Sequence, residues 1–194
     1  MDLSRVRRGL PWALGLVAAA SSAGPVVTFE EVDASHGRVI ASPSLARLGV
    51  TLSAVTPGTL VVIDDARNLY DGRAMIAPSG ANVLTQVNSN DPVTYTLTFP
   101  GPVRAVRFTR PALLAGPTGI VFPAWEAEAL DASGRVLHRV SEGLGSYYAN
   151  TPARTFSLEA PGIRALRINS VNFHFAAFSA TVLDDLTWTP EGEP

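Results

Sequence analysis

The chain has no cysteine among its 194 residues. Disulfides, thiolate metal sites, cysteine nucleophiles and attachment through a lipidated N-terminal cysteine are therefore all excluded. It has no lysine either; all 15 basic residues are arginine, which by itself decides nothing about partners. Long apolar runs are also scarce. After the first two dozen residues no stretch approaches the roughly 20 apolar residues that a membrane-spanning helix needs. No His-x-x-x-His spacing relates His36, His138 and His174, and no Gly-x-Ser-x-Gly elbow is present to raise a nucleophile. Nothing from Val26 onward sustains a helical period, and no repeat or long linker divides the chain.

What is present begins with an export signal. Arg5, Arg7 and Arg8 precede an apolar stretch from Leu10 to Ala20, and Ser21 and Ala23 stand at the small-residue positions of a cleavage site. The expected division is a signal peptide at 1–23, one domain at 24–188 and a frayed polar tail at 189–194. Cleavage after Ala20 is the second choice, and general secretion is favoured over the twin-arginine route. The mature chain is expected to be secreted or periplasmic, with no membrane span. Removing the segment leaves 12 arginines against 16 acids, a net charge of −4, which excludes a nucleic-acid binder by bulk charge.

The remaining signals are those of short strands separated by Gly, Pro, Asn and Asp. Val93–Phe99 and Trp125–Leu130 alternate apolar and polar residues, which predicts half-buried antiparallel strands. Pro100-Gly-Pro102 reads as a hairpin turn into Val103–Phe108, and Asp131-Ala-Ser-Gly134 as a turn into Arg135–Val140. Ser42–Leu48, after Pro43, predicts one short helical turn. About eleven strands in a single domain predict an all-β, two-sheet antiparallel sandwich. The first strand, expected over Val26–Glu31, and the last, Ala180–Trp188, are expected to lie side by side.

Val27-Thr-Phe-Glu-Glu31, Leu48-Gly-Val-Thr-Leu52, Asp91-Pro-Val-Thr-Tyr-Thr-Leu-Thr-Phe-Pro-Gly-Pro-Val103, Ala129-Leu-Asp-Ala-Ser-Gly134 and Leu183-Asp-Asp-Leu-Thr-Trp188 follow one another along the chain. In that order they resemble exported bacterial β-sandwich proteins of the jelly-roll, galactose-binding-like type, many of which carry a Pro-Glu-Pro sorting tail. Such members continue into an apolar helix and a basic cluster, whereas this sequence stops at Glu193-Pro194, so release is expected over anchoring. The resemblance implies a structural calcium between the first and last strands. The matching positions are Glu30 or Glu31, and Asp184 or Asp185. Strand alternation places Asp184 on the inward face with Leu186 and Trp188, where an uncompensated carboxylate is costly, so Asp184 is preferred. The alternative is an Asp184 that accepts backbone hydrogen bonds.

The segment Asp64–Gly72 carries several oxygen donors without the spacing of a cation loop, and reads as a turn-rich loop. Tyr147 and Tyr148, in a Gly-flanked loop, are the candidate stacking platform for a sugar ring, with Trp125 and Tyr70 behind them. Glu126 and Glu128 read as the wet face of a strand, which leaves an enzyme without a named acid–base pair. The expected function is a non-catalytic exported module for a glycan or another surface component. A purely structural or matrix protein, or a jelly-roll glycoside hydrolase or polysaccharide lyase, is the alternative.

Overall fold

The computed structural model describes residues 24–57, 60–68, 75–87, 93–114, 121–122, 125–143, 150–170, 178–179 and 181–192. The export segment at 1–23 and Tyr70, Tyr147, Tyr148 and His174 lie outside them. The strands are β1 (Val26–Val27), β2 (Val39–Ile40), β3 (Thr51–Ser53), β4 (Val61–Asp65), β5 (Met75–Ile76), β6 (Asn82–Gln86) and β7 (Thr94–Arg110). They continue as β8 (Ala112–Leu113), β9 (Val121–Phe122), β10 (Trp125–Leu130), β11 (Val136–Glu142), β12 (Arg154–Ser170), β13 (Phe178–Ser179) and β14 (Asp184–Pro190). The described helix, α1 (Ala41–Arg47), begins before Pro43 and buries Ala41 and Leu45, four residues apart on one face. No described helix is long and apolar enough to cross a membrane.

The largest sheet runs β1-β14-β7-β12-β10-β11, with β3 also paired to β7; β2-β4-β6 form a second sheet. This is the all-β antiparallel sandwich that the alternation predicts, apart from one short parallel pair, β13 with β9. The expected hairpin at Pro100-Gly-Pro102 is corrected. The chain runs through it as a single 17-residue strand, β7, whose long partner is β12. The register between them slips at Glu159/Ile163 and Ile163/Ala165, beside Pro100 and Pro102 on one strand and Pro161 and Gly162 on the other. Proline has no N–H to give to the ladder, so the pairing breaks at the same level on both strands and bends instead of turning back.

The bend makes the second layer. Trp125 pairs with Ser170 at one end of β12, yet its ring lies 4.7 Å from Phe156 near the other end. Fourteen residues of straight strand would hold those ends about 45 Å apart at about 3.3 Å per residue, so β12 doubles back over the core. Phe108 completes the cluster at 5.5 Å from Trp125. At the bend Phe99 meets Trp188 at 5.4 Å.

β10 and β11 form the expected hairpin. Asp131 Oδ1 accepts from Ser133 N, Ser133 Oγ and Arg135 N, and Gly134, at φ 83°, takes the left-handed corner. β1 and β14 are adjacent, Val26 opposite Thr187 and Val27 opposite Leu186. Val27, Phe29, Leu186 and Trp188 all enter one buried cluster. Two boundaries differ from expectation. β1 ends at Val27 because Phe29 turns the chain with φ 65°. The tail expected to fray from residue 189 stays on the sheet through Pro190, and Glu191 N donates to Pro102 O at 3.0 Å. A ladder uses the backbone, so polar side chains do not end it.

Candidate functional site

The two ends of the domain meet the middle of the chain at Ser79–Asn82. Asp184 is fully buried at the start of β14, inward as alternation requires. Its Oδ2 accepts Ser79 N at 3.0 Å, its Oδ1 accepts Asp185 N at 2.7 Å, and Ser79 Oγ lies 3.1 Å from both oxygens. Glu30 leaves β1 in the turn set by Phe29, and its Oε1 accepts Ala81 N at 2.9 Å and Asn82 N at 2.5 Å. Asn82 Nδ2 returns hydrogen bonds to Phe29 O and Val32 O. Gly80 sits between the two carboxylates with φ 60°, and a Cβ there would stand 2.2 Å from Glu30 Cδ. A side chain here would push the Glu30 carboxylate off Ala81 and Asn82, and the left-handed backbone favours glycine as well.

Burial pushes the Asp184 carboxyl up to about 6, against the donors from Ser79 and Asp185 that favour the ion. The resemblance implies calcium here with the inward Asp184 as its preferred ligand; in the structure Ser79 N, Ser79 Oγ and Asp185 N take the cation's role in part, and burial still outweighs them. N–H and O–H groups of Ser79, Ala81, Asn82 and Asp185 already face the oxygens of Asp184 and Glu30 with their positive ends. Such groups oppose a cation at the same oxygens, so the donor set does not fit one held there. Glu31 is exposed, and no three His, Asp or Glu side chains converge among the described residues.

The other buried acids are spent on arginines. Glu128 is not on a wet face, as the alternation implied; it is buried, its Oε1 on Arg139 Nη2 at 2.5 Å and its Oε2 on Arg167 Nε at 2.7 Å. Cross-strand pairing explains the cover, since Arg139 on β11 and Arg167 on β12 both stand directly opposite Glu128. Despite the burial, the two arginines hold its carboxyl below the usual range. Asp64 accepts Arg38 Nε at 2.8 Å. Asp65 binds Nε and Nη2 of Arg67 and also accepts Arg67 N at 2.8 Å, closing the turn that follows β4. Of the histidines, the half-buried His138 meets the Glu159 backbone through Nδ1.

That turn is the described part of the Asp64–Gly72 loop, and it walls a pocket that sequence reasoning missed. Ala66, Arg67, Met75, Ile76, Ala77 and Ala81 line about 290 Å³ beside Gly80. Its signal in the sequence is weak, because small and aliphatic residues in a loop carry no periodicity. The pocket and the Asp184–Ser79–Glu30 clasp share the segment 77–81. A second cleft of about 250 Å³, between the Glu31–Asp33 turn and α1, is lined by Glu31, Asp33, Ser44 and Arg47 over Val32 and Leu48.

No family model matches the chain and no curated protein matches it, so the sorting-tail part of the resemblance gains no support. Solved structures do resemble it. A cyclase from Fischerella sp. TAU, in complex with a pyrrolidinylidene-indole, has a TM-score of 0.54 at 16% identity, over 86% of this chain and 96% of that one. The K2 cleaved adhesin domain of Lys-gingipain scores 0.48 at 14% identity, over 86% and 99%. A fucose-binding module from Streptococcus pneumoniae scores 0.40 at 12%, over 73% and 90%. The first bears on fold alone. The scores of the other two are too low to add to it.

Proposed function

We propose that the protein is an exported, non-catalytic module that binds a glycan or another surface component. One observation carries this reading. Each buried carboxylate among the described residues, Asp64, Asp65, Glu128 and Asp184, is engaged by an arginine or by N–H and O–H donors within the fold. None of these is paired with a second carboxyl across a cleft, as acid–base hydrolysis requires. The two clefts described above each border a turn or loop segment, 77–81 in one and 31–33 in the other, where binding function is usually carried.

A glycan and polysaccharide binding screen on the mature protein tests this. Specific retention without product is the expected result. Release of product would make it an enzyme on a sandwich scaffold, and retention of nothing would favour a matrix role.

Calcium at Glu30, Glu31 and Asp184 has a measurement of its own. With both Asp184 oxygens and Glu30 Oε1 on N–H and O–H donors, the expected melting temperature is the same in calcium and in chelator. A rise in calcium would restore the ion, since a ligand at 100 times its dissociation constant adds about 2.7 kcal/mol.

A further inference from the structure

We propose that the pocket between the turn after β4 and the segment Met75–Ala81 is the ligand site, and that it takes one neutral polyhydroxylated ring, such as a terminal sugar unit. This rests on the binding-module reading and supplies the place and chemistry of the contact. The pocket is held in shape from behind. Ser79 is fixed by Asp184, and Ala81 by Glu30, so its wall is set before any ligand arrives. A wall ordered in advance lowers the cost of binding. Ala66 and Met75 are buried at its base, while Ile76 remains 55% exposed at the rim. About 290 Å³ lies at the lower end of small-molecule pockets and suits a single ring.

The polar side of the pocket selects the class. Arg67 is 77% exposed, but its Nε and Nη2 edge is on Asp65, which leaves Nη1 for a ligand oxygen. Hydrogen bonding to Arg67 holds the Asp65 carboxyl below its usual range, so the pair stays ionised and matched. A carboxylate or phosphate ligand would therefore find no unbalanced positive charge. A neutral ring with hydroxyls toward Arg67 and C–H surface toward Met75, Ile76 and Ala77 is complementary to both sides. An aliphatic acid is complementary to only one.

The test is ligand-observed NMR and calorimetric titration of the mature protein with a panel of neutral methyl pyranosides, with sodium octanoate as the anionic apolar probe. At least one pyranoside is expected to bind, and octanoate to bind no more tightly than that pyranoside. Ala77→Trp, which fills the pocket, is expected to weaken binding by about tenfold or more, equivalent to about 1.4 kcal/mol. Arg67→Ala, at the exposed rim, is expected to act in the same direction with an unchanged circular-dichroism spectrum, which covers the case of an Ala77→Trp variant that fails to fold. Equal binding by wild type and Arg67→Ala would overturn the site, as would a ligand from the glycan screen that Ala77→Trp still binds normally; the binding-module reading would survive both. Tighter binding of octanoate than of any pyranoside would overturn the ligand class. Silence in both the titrations and the glycan screen would remove the site and the reading together.

Discussion

Replacing Arg110 by alanine is expected to destabilise the protein by about 3–5 kcal/mol, the usual cost of removing one partner from a buried ion pair. Arg110 is 2% exposed, and its Nε and Nη2 each donate to a different Glu142 oxygen at 2.8 Å, while Nη1 donates to Pro111 O. Glu142 stands on β11 opposite Trp125, whereas Arg110 ends β7, so the pair ties together strands brought near by the bend. Without Arg110 the nearly buried Glu142 loses both of its guanidinium hydrogen bonds. The double variant Arg110→Met/Glu142→Leu is expected to recover most of the loss, because apolar residues of similar volume can replace a buried pair at little cost. Urea midpoints of wild type, single and double variants decide it. A single variant that unfolds with the wild type would show that the pair holds nothing together.

Asp184→Asn is expected to change the pH dependence of stability as well as its level, since the new NH2 must face a backbone N–H of Ser79 or Asp185. The unfolded chain releases this proton near 3.8, whereas the folded protein holds it up to about 6. Between those values the folded state binds more protons than the unfolded one, so stability falls as pH rises. The stability from this group is therefore complete below 3.8 and lost by about pH 7. At 1.36 kcal/mol per pH unit the loss is about 3 kcal/mol. Asparagine cannot ionise, so the variant should gain about that much relative to wild type between pH 4 and pH 7. Asp65 and Glu128, whose carboxyls are held low, give the opposite slope, but they are common to both proteins and cancel. Denaturation of the two proteins at a series of pH values checks this, and a constant difference would mean that Asp184 titrates alike folded and unfolded.

Trp125–Leu130 was legible as a strand but not as half-buried, since all of it but Glu126 is buried, whereas the alternation of Val93–Phe99 was legible because a sheet with one buried face writes its period into local sequence. Pro100-Gly-Pro102 was misread for the same reason. Locally it is a turn, and only the matching break at Pro161-Gly162 on the partner strand, some 60 residues on, turns it into a bend. For Asp184 the direction was readable and the remedy was not. Its compensating donors come from Ser79, separated from it by 105 residues. Glu128 shows the limit of alternation, which assigns a residue to a face but not to a covered or open part of it. The pocket was least visible of all, since a loop wall of alanine, methionine and isoleucine has no chemistry of its own until folding sets it beside Arg67.

The pairing of β1 with β14 has a mechanical side. The chain enters at Gly24, packed against the Trp188 carbonyl, and leaves just beyond Pro190, so both ends emerge from the same end of an antiparallel pair. A pull between them loads the Val26–Thr187 and Val27–Leu186 positions one after the other, as a zipper opens, and not all at once as in shear. The first strand should peel away under modest tension, carrying Phe29 and Glu30 with it. That same tension would release Ala81 and Asn82 from the Glu30 carboxylate, and with them one wall of the pocket. A molecule tethered through both ends would thus feel stretching first at the place where it is proposed to hold its ligand.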